Sequence, residues 1–388
     1  MISINESVLV NCSIVRGGTS KGIFIMQNEL PKDQALKDKY ILEIFGSPDK
    51  RQIDGLGGAD VLTSKVAIIG PPTREDADVD YTFGQVSFET SFIDYKSNCG
   101  NISAGVGPYA INKGLVLPKE PYTVVRIHQV NTNRIIKAKV KVKDGKAEFD
   151  GDCFIDGVRT SGSPIELDFS DSIGAITGKL LPTGNVIDII NTNDGNIYEV
   201  SIVDAAIPTV FIKAEDIGLD GTEQPDNIEK NETAMGKLEE IRGKCAERMG
   251  LIEDYRESTI KSPYTPFIAI VSDSKTYTTF QGKVVSKENI DILSRLVFMQ
   301  RMHKAHPVTG TICMSVAARI PNSIVWQTLS KRGKENRKIV IGHPSGEILV
   351  NSKLSETDDG YLLEEASIIR TARIIMEGNV FLRGSQLF

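Results

Sequence analysis

Apolar residues follow two different spacings along the chain, and these spacings predict a mixture of strands and helices. Residues 8–15 and 23–25 are short runs rich in β-branched side chains, and the glycine-rich segment 16–22 separates them, which predicts a strand, a turn and a strand. Residues 33–45 carry apolar side chains at helical spacing and stop before a Gly-Ser-Pro segment, so we expect an amphipathic helix there. Residues 78–92 alternate apolar and polar positions, as a strand does.

A further helix is predicted to begin directly after Cys99. Polar and glycine residues surround this cysteine, and Ile102, Val106 and Ala110 then follow at helical spacing. Free amides and the positive end of the helix dipole favour an anion at such a point, which promotes a thiolate and offers donors to a substrate carboxylate. The residues leave two interpretations open: a reactive cysteine beside a carboxylate-binding turn, or a small buried core residue.

The second half of the chain repeats the plan of the first. Strand-like runs lead to an amphipathic pattern over residues 231–249, and residues 287–302 are also predicted to be helical. The glycine-rich segment 168–185 is typical of a domain boundary. We therefore predict an α/β (α+β) fold of two domains, residues 1–183 and 184–388, with the last strand, near 372–388, as a candidate to pack back onto the first domain.

The two halves also share a short local pattern. When Gly310 is set on Gly100, the apolar positions that follow coincide, and Thr309 falls on Cys99. Each half then has a polar-Gly-polar turn that opens an apolar helix, with Thr311 as the last residue of the second turn. A repeat near half the chain length is what an internal two-fold arrangement of domains would produce.

Composition and charge narrow the range of partners. A chain of 388 residues is long enough for roughly two domains of about 150–200 residues. With 45 Lys+Arg against 51 Asp+Glu, and no basic run interleaved with aromatics, the chain does not resemble a nucleic-acid-binding protein. Residues 1–6 do not resemble a secretory signal, and no stretch approaches the ~18 apolar residues of a membrane span. We expect a cytoplasmic protein with a small-molecule ligand, and a homo-oligomer stays open.

Cysteine and histidine spacing argues against a metal. The five cysteines are scattered and never form a CxxC pair, and the four histidines show no HExxH spacing. The glycine-rich segment 16–22 does not match the P-loop pattern GxxxxGK[ST]. We therefore expect free thiols, no metal and no cofactor.

The segment 16–22 has a functional and a structural interpretation. Its backbone amides could cradle an anion, or it could be an ordinary hairpin turn. In the first case the candidate ligand-binding residues are Gly18, Thr19 and Ser20, with Arg16 and Lys21 as further donors.

Ser64 and Lys65 follow a glycine-dense loop and open an almost wholly apolar run. A lysine at the head of such a run either extends to solvent or is partly buried, and for a lone lysine the first arrangement is the more common. Burial would lower the lysine pKa toward that of a useful base. Lys65 is therefore a candidate acid/base group, with Ser64 as a neighbouring candidate for ligand binding.

These features suggest one type of chemistry. Two domains that face one another would place two helix N-termini across a cleft, where a substrate with two or three carboxylates could bind. Cys99 and Lys65 could then accept and donate a proton. This arrangement suits abstraction of a proton next to a carboxylate or along a conjugated enoate, which needs no redox cofactor.

Short motifs spread over nearly the whole chain resemble the PrpF family. That family includes 2-methylaconitate cis-trans isomerase, methylitaconate delta-isomerase and 4-oxalomesaconate tautomerase, and it shares the fold of diaminopimelate epimerase. The motifs are RGGTSKG at 16–22, IDGLGG at 53–58, TSK at 63–65, FGQV at 83–86, NCGN at 98–101, LPTGN at 181–185, IPT at 207–209 and GHPSG at 342–346.

The resemblance implies two similar domains, each a mostly antiparallel sheet wrapped around a central helix, with the active site in the interdomain cleft and no cofactor. It implies that Lys65 and Cys99 are the acid/base groups, and it leaves open which of them removes the proton. The epimerases carry a thiol at each helix start, whereas this chain has Thr309 at the second, which disfavours two-thiol racemisation. The residues implied to line the substrate site are Ser20, Asn98, Gly100 and Asn101, and the internal repeat adds Thr309, Gly310 and Thr311.

The main functional hypothesis is an isomerase that shifts a proton or double bond in an unsaturated di- or tricarboxylate of the methylitaconate or methylaconitate type. The alternative within the family is a keto-enol tautomerase acting on oxalomesaconate. An alternative of another class is a carboxylate-binding accessory protein to an aconitase-like enzyme. Retention of both Lys65 and Cys99 argues against a purely binding role.

Overall fold

The computed structural model describes residues 7–96, 98–358 and 360–387. The chain divides into two compact units. The first holds the chain up to Leu167 and again from Arg370 onward, and the second holds Asp168–Ile369.

The described strands, in chain order, are β1 (Ser7–Gly17), β2 (Ser20–Met26), β3 (Lys65–Gly70), β4 (Val79–Val86), β5 (Ile93–Asp94), β6 (Tyr122–Gln129), β7 (Arg134–Lys143), β8 (Lys146–Ala147), β9 (Ile165–Asp168), β10 (Asp188–Asn191), β11 (Ile197–Ala205), β12 (Ile207–Lys213), β13 (Phe267–Ser272), β14 (Tyr277–Thr278), β15 (Val284–Val285), β16 (Ile292–Phe298), β17 (Arg301–Met302), β18 (Lys338–His343), β19 (Gly346–Thr357), β20 (Gly360–Arg370) and β21 (Ala372–Arg383). The described α-helices are α1 (Gln34–Phe45), α2 (Gly100–Asn112), α3 (Pro225–Glu229), α4 (Glu232–Arg248), α5 (Ser258–Lys261), α6 (Val308–Ala317), α7 (Ile324–Thr328), α8 (Lys331–Glu335) and α9 (Gly384–Leu387).

In the first unit a mostly antiparallel sheet surrounds helix α2. Strand β1 pairs antiparallel with β2 on one side and with β21 on the other, so both ends of the chain contribute to this sheet. Strands β2 and β3 run parallel, and β3 and β4 antiparallel. Helix α2 is buried from Gly100 to Ile111. A Cβ on Gly105 would lie 2.9 Å from the side chains of both Phe24 and Val15, so glycine allows the helix to approach the sheet closely.

The second unit repeats this plan around helix α6. Its sheet joins β10, β11, β12, β13, β16, β18, β19 and β20, and only the β12–β13 and β16–β18 pairs are parallel among these pairings. Helix α6 is buried along its whole length and packs against β11, β12 and β19. The predicted fold class is therefore confirmed: each unit is a mostly antiparallel sheet around a central helix.

The boundary between the units lies at Leu167/Asp168, ahead of the predicted boundary at 183/184. The segment between the two positions belongs to the second unit because it bonds to Asp204. The Asp204 carboxylate accepts hydrogen bonds from the amides of Ile176 (3.0 Å) and Thr177 (2.7 Å). The glycines that resemble a linker in the sequence therefore form a folded loop on the second sheet.

Three predicted helices are confirmed as α1, α2 and α4, whereas the predicted helix at 287–302 is wrong. This segment contains the strand β16, all of whose residues are buried. A strand that is buried on both faces loses its polar alternation, so its apolar run cannot be told from a buried helix by periodicity. Leu293, Leu296 and Val297 coincide with helical spacing for this reason.

Candidate active site

Lys65 is buried at the start of β3, with only 2% of its surface exposed. Its Nζ donates a hydrogen bond to Oε1 of Gln85 at 2.8 Å and lies 5.3 Å from the centre of the Phe83 ring. The alternative in which this lysine extends to solvent is therefore excluded. An amine that is buried against an amide oxygen and an aromatic face is shielded from bulk water, and burial favours its uncharged form.

Gln85 orients the lysine, a role that the sequence patterns did not predict. It lies directly opposite Lys65 in the β3–β4 register. Its Nε2 donates to the backbone carbonyls of Ser64 (3.0 Å) and Val61 (3.3 Å), which turns Oε1 toward the amine. The FGQV motif at 83–86 carried the signal, but its meaning depends on a strand register that a single sequence does not display.

Cys99 is the N-cap residue of α2, and 7% of its surface is exposed. Its carbonyl oxygen accepts hydrogen bonds from the backbone amide of Ser103 (2.9 Å) and from the Ser103 hydroxyl (3.1 Å). The thiol does not cap the helix. The backbone of Cys99 is therefore held by the first turn of α2, while its sulfur is available for other contacts.

The thiol of Cys99 interacts electrostatically with the amine of Lys65 and raises its pKa by attraction and by hydrogen bonding. Burial lowers the pKa of Lys65, and the attraction to Cys99 together with this hydrogen bond offsets part of that decrease. Asp60 adds a weaker effect in the same direction as Cys99. The structure thus brings together the two residues that the sequence predicts as the acid/base pair.

The predicted anion-binding turn packs against the start of α2. Gly18 and Thr19 form the loop of the β1–β2 hairpin, and the Thr19 amide donates to Oδ1 of Asn101 at 3.2 Å. Gly18 has a φ of +50°, and a Cβ there would lie 2.1 Å from the same Asn101 oxygen. Only glycine fits this close approach in a left-handed conformation.

Two hydroxyls on this turn are buried without a hydrogen-bond partner among the described residues: Thr19 Oγ1 and Ser20 Oγ. A buried hydroxyl left without a partner costs about 1–3 kcal/mol, so these two groups are suited to a hydrogen bond with a ligand oxygen. Asn98, just before α2 in the same unit, is also buried, and its Oδ1 accepts from Ser103 Oγ at 3.3 Å. These side chains are suited to binding an oxygen-rich ligand at the start of α2.

Two of the candidate donors have structural contacts instead. The hydroxyl of Ser64 donates to Oε1 of Gln52 at 2.7 Å, and that oxygen also accepts the Ala59 amide at 2.7 Å. The Arg16 guanidinium donates to the carbonyls of Gly18 (3.1 Å) and Thr371 (2.8 Å). Both side chains hold loops of the first unit in place.

The remaining predicted site residues belong to the second unit. Helix α6 begins at Val308, so Gly310 is its third residue, whereas Gly100 is the first residue of α2; the local equivalence is therefore shifted. The hydroxyl of Thr311 donates to the carbonyl of Pro307 at 2.8 Å and contacts His306 Nδ1 at 2.8 Å. Thr309, Gly310 and Thr311 stay sequence-based predictions as ligand contacts.

The described residues contain neither a metal-binding cluster nor a membrane-spanning helix. Within residues 7–96, 98–358 and 360–387, no group of three or more His, Cys, Asp and Glu side chains is arranged to hold a metal ion. In the same part of the chain, no helix has both the length and the apolar character needed to cross a bilayer.

The PrpF protein family matches residues 7–383. A 3-methylitaconate isomerase from Eubacterium barkeri is 51% identical over 385 residues, which cover 99% of this chain and 100% of that protein. A 2-methyl-aconitate isomerase from Shewanella oneidensis is 36% identical and covers 96% of each chain.

Two solved structures are similar to this chain, one in sequence and fold and the other in fold alone. The crystal structure of a methylitaconate-delta-isomerase is 51% identical and superposes with a TM-score of 0.82 over 98% of this chain and 97% of that chain. A hydroxyproline epimerase from Agrobacterium vitis, 11% identical, shares the fold with a TM-score of 0.58 over 97% and 93% of the two chains. The chain is therefore an isomerase, and it belongs to the PrpF family.

Proposed function

We propose that this isomerase moves a proton, and with it a carbon–carbon double bond, within an unsaturated dicarboxylate of the methylitaconate type. Lys65 and Cys99 are the acid/base pair in this proposal. The observation that carries it is that these two buried side chains interact with one another inside the first unit. The relative named for methylitaconate is 51% identical and the one named for methyl-aconitate 36%, which favours the first substrate type.

The proposed reaction is a balanced proton shift. In a methylitaconate-type acid, the C–H bond between one carboxylate and the vinylic carbon is acidic, because the resulting carbanion is delocalised over both groups. One member of the pair removes this proton, and a proton delivered to the terminal methylene carbon turns it into a methyl group. The new double bond joins the two carbons that carry the carboxylates. No atom is oxidised or reduced, so proton donors and acceptors are sufficient.

The charge state of the pair suits this shift. A neutral amine facing a thiol and an ammonium facing a thiolate carry the same total charge and the same number of protons, so a proton can pass between Lys65 and Cys99 without a change in net charge. Burial lowers the pKa of Lys65 and so favours the uncharged form of the amine. The amides at the start of α2 and the hydroxyls of Thr19 and Ser20 then donate hydrogen bonds to the substrate carboxylates.

A panel of acids tests the proposal. The purified protein is incubated with methylitaconate, 2-methylaconitate and 4-oxalomesaconate, and each reaction is followed by enoate absorbance and proton NMR. We expect methylitaconate to have the highest kcat/KM and its terminal vinyl signals to be replaced by methyl signals. A preference for oxalomesaconate would make the protein a keto-enol tautomerase, which can use the same pair. No turnover of any acid would favour the accessory role.

We also infer that the protein works in a reducing compartment, the cytoplasm. Cys12, Cys99, Cys153, Cys245 and Cys313 are all free thiols in the structure. Persistent free thiols on several strands and helices are typical of cytosolic proteins, because oxidising compartments favour disulfides. Thiol titration of the protein isolated under anaerobic conditions should therefore return five reactive groups after unfolding.

A further inference from the structure

Arg370 ends strand β20, far from the other site residues in sequence but in the same unit as α2. Its side chain is buried, with 5% of its surface exposed. Its Cδ lies 3.2 Å from the position that a Cβ would take on Gly18, and Oδ1 of Asn101 lies 2.1 Å from that same position. The arginine side chain therefore runs alongside the glycine turn where that turn meets the first residues of α2.

The chemistry at this point is that of an anion site. A guanidinium is costly to bury and is stabilised by a bidentate contact with a carboxylate. Burial lowers the pKa of Arg370 to about 9, and Cys153 offsets part of that decrease. On the same turn as Gly18, which the Arg370 side chain contacts, the hydroxyls of Thr19 and Ser20 are buried without hydrogen-bond partners among the described residues. Ser20 itself is only 2% exposed, so its hydroxyl has no access to bulk water.

We propose that Arg370, with the Thr19 and Ser20 hydroxyls, forms the subsite that binds one carboxylate of the substrate. The inference rests on the proposed function in so far as the ligand is an unsaturated dicarboxylate. The subsite makes the second carboxylate a requirement for tight binding: it holds that group at the β1–β2 turn while Lys65 and Cys99 act on the carbon skeleton. Nothing in the sequence patterns marked this arginine, because only the pairing of β21 with β1 brings it to the turn.

The first test is a comparison of substrates and variants. Steady-state kinetics are measured for the full-length protein and for Arg370→Gln and Arg370→Lys, with methylitaconate and with its two half-amides, in which one carboxylate is replaced by a neutral carboxamide. We expect Arg370→Gln to raise KM for methylitaconate by about 10- to 100-fold with a smaller change in kcat, the scale of a charged hydrogen bond. Its preference for the diacid over one of the half-amides should fall close to one. Lysine keeps the positive charge but cannot make the bidentate contact of a guanidinium. The KM of Arg370→Lys should therefore lie between those of the wild type and Arg370→Gln.

Arg319 offers a matched control. Its guanidinium donates to the carbonyls of Gly333 (2.9 Å) and Arg337 (3.1 Å) and to Ser352 Oγ (3.1 Å), so it has a structural role in the second unit. Arg319→Gln should lower the midpoint of urea unfolding while KM and the preference for the diacid stay unchanged. An unchanged KM in Arg370→Gln would overturn the inference. An equal loss of kcat/KM with the diacid and with both half-amides would also overturn it.

A binding measurement separates this inference from the proposed function. Itaconate is titrated into wild-type protein and into Arg370→Gln by calorimetry, which requires no turnover. We expect the variant to bind itaconate about 10- to 100-fold more weakly. If the wild type isomerises no acid but still shows this difference, the proposed reaction fails and the subsite stands; if it binds no itaconate, the subsite is refuted. Should Arg370→Gln lack a cooperative unfolding transition, Arg370→Lys decides, and wild-type affinity in that variant refutes the subsite.

Discussion

Gln85 provides a test of the proposed role of Lys65 in proton transfer. Replacing it with leucine keeps the volume but removes the 2.8 Å hydrogen bond from Nζ of Lys65. It also leaves the carbonyls of Ser64 and Val61 without the amide that they now share. The first change acts on the chemistry and the second on the stability of the β3–β4 region.

The expected magnitudes follow from these contacts. A hydrogen bond to a charged group contributes about 1.5–3 kcal/mol, so kcat/KM should fall by about 10- to 150-fold if the contact is retained in the transition state. The Oε1 dipole stabilises the ammonium more than the amine, so its loss should lower the pKa of Lys65 further. The limb of the pH–rate profile that reports Lys65 should therefore move to lower pH. Gln85→Glu places a carboxylate there and should move the same limb to higher pH.

The assay is kcat/KM against pH for the wild type and both variants, with Gln52→Leu as the control. Gln52 is as deeply buried, and its side chain bonds to Ser47, Ala59 and Ser64 but not to Lys65. Its variant should lose stability and leave the position of the limb unchanged. A limb that does not move in either Gln85 variant, or that moves as far in Gln52→Leu, would refute the assigned role of Gln85.

Two further predictions concern the turn and the thiol. Gly18→Ala places a side chain at a φ of +50° and against Asn101. The free energy of unfolding, measured in urea, should therefore fall by at least about 1–2 kcal/mol, and KM should rise. An unchanged KM would show that the turn does not take part in ligand binding. Itaconate should protect Cys99 from alkylation by iodoacetamide, as peptide mass spectrometry can show; protection that maps to another thiol would contradict the site. Burial raises the pKa of the other four thiols, which slows their alkylation near neutral pH. Those other thiols are Cys12, Cys153, Cys245 and Cys313.

Local sequence patterns were sufficient to predict helix α2 and the position of Cys99 at its start. The polar-Gly-polar start and the spacing of Ile102 and Val106 predict α2 because a helix is specified largely by residues within a few turns. The position of Lys65 at the head of β3 was predictable in the same way, but its burial was not. Burial depends on which side chains the neighbouring strand presents, and that is set by the β3–β4 register.

The features that the sequence did not predict depend on contacts between segments that are distant along the chain. Gln85 and Arg370 reach the site through strand pairing, which leaves no periodic signal in one chain. Ser64 is a candidate for ligand binding from its hydroxyl and its position beside Lys65. In the structure, however, Gln52 from the preceding loop accepts its hydrogen bond. Strand β16 was mistaken for a helix because both of its faces are buried.

Proton transfer by Lys65 and Cys99 is the central claim, and proton NMR in deuterium oxide tests it most directly. Wild type, Lys65→Ala and Cys99→Ala are compared with methylitaconate, after circular dichroism has verified that each variant is folded. The wild type should convert the vinyl signals and introduce solvent deuterium at the new methyl carbon, while each variant should lose about 10²–10⁴-fold in kcat, the usual contribution of a general acid or base. Wild-type turnover in either folded variant would contradict the account.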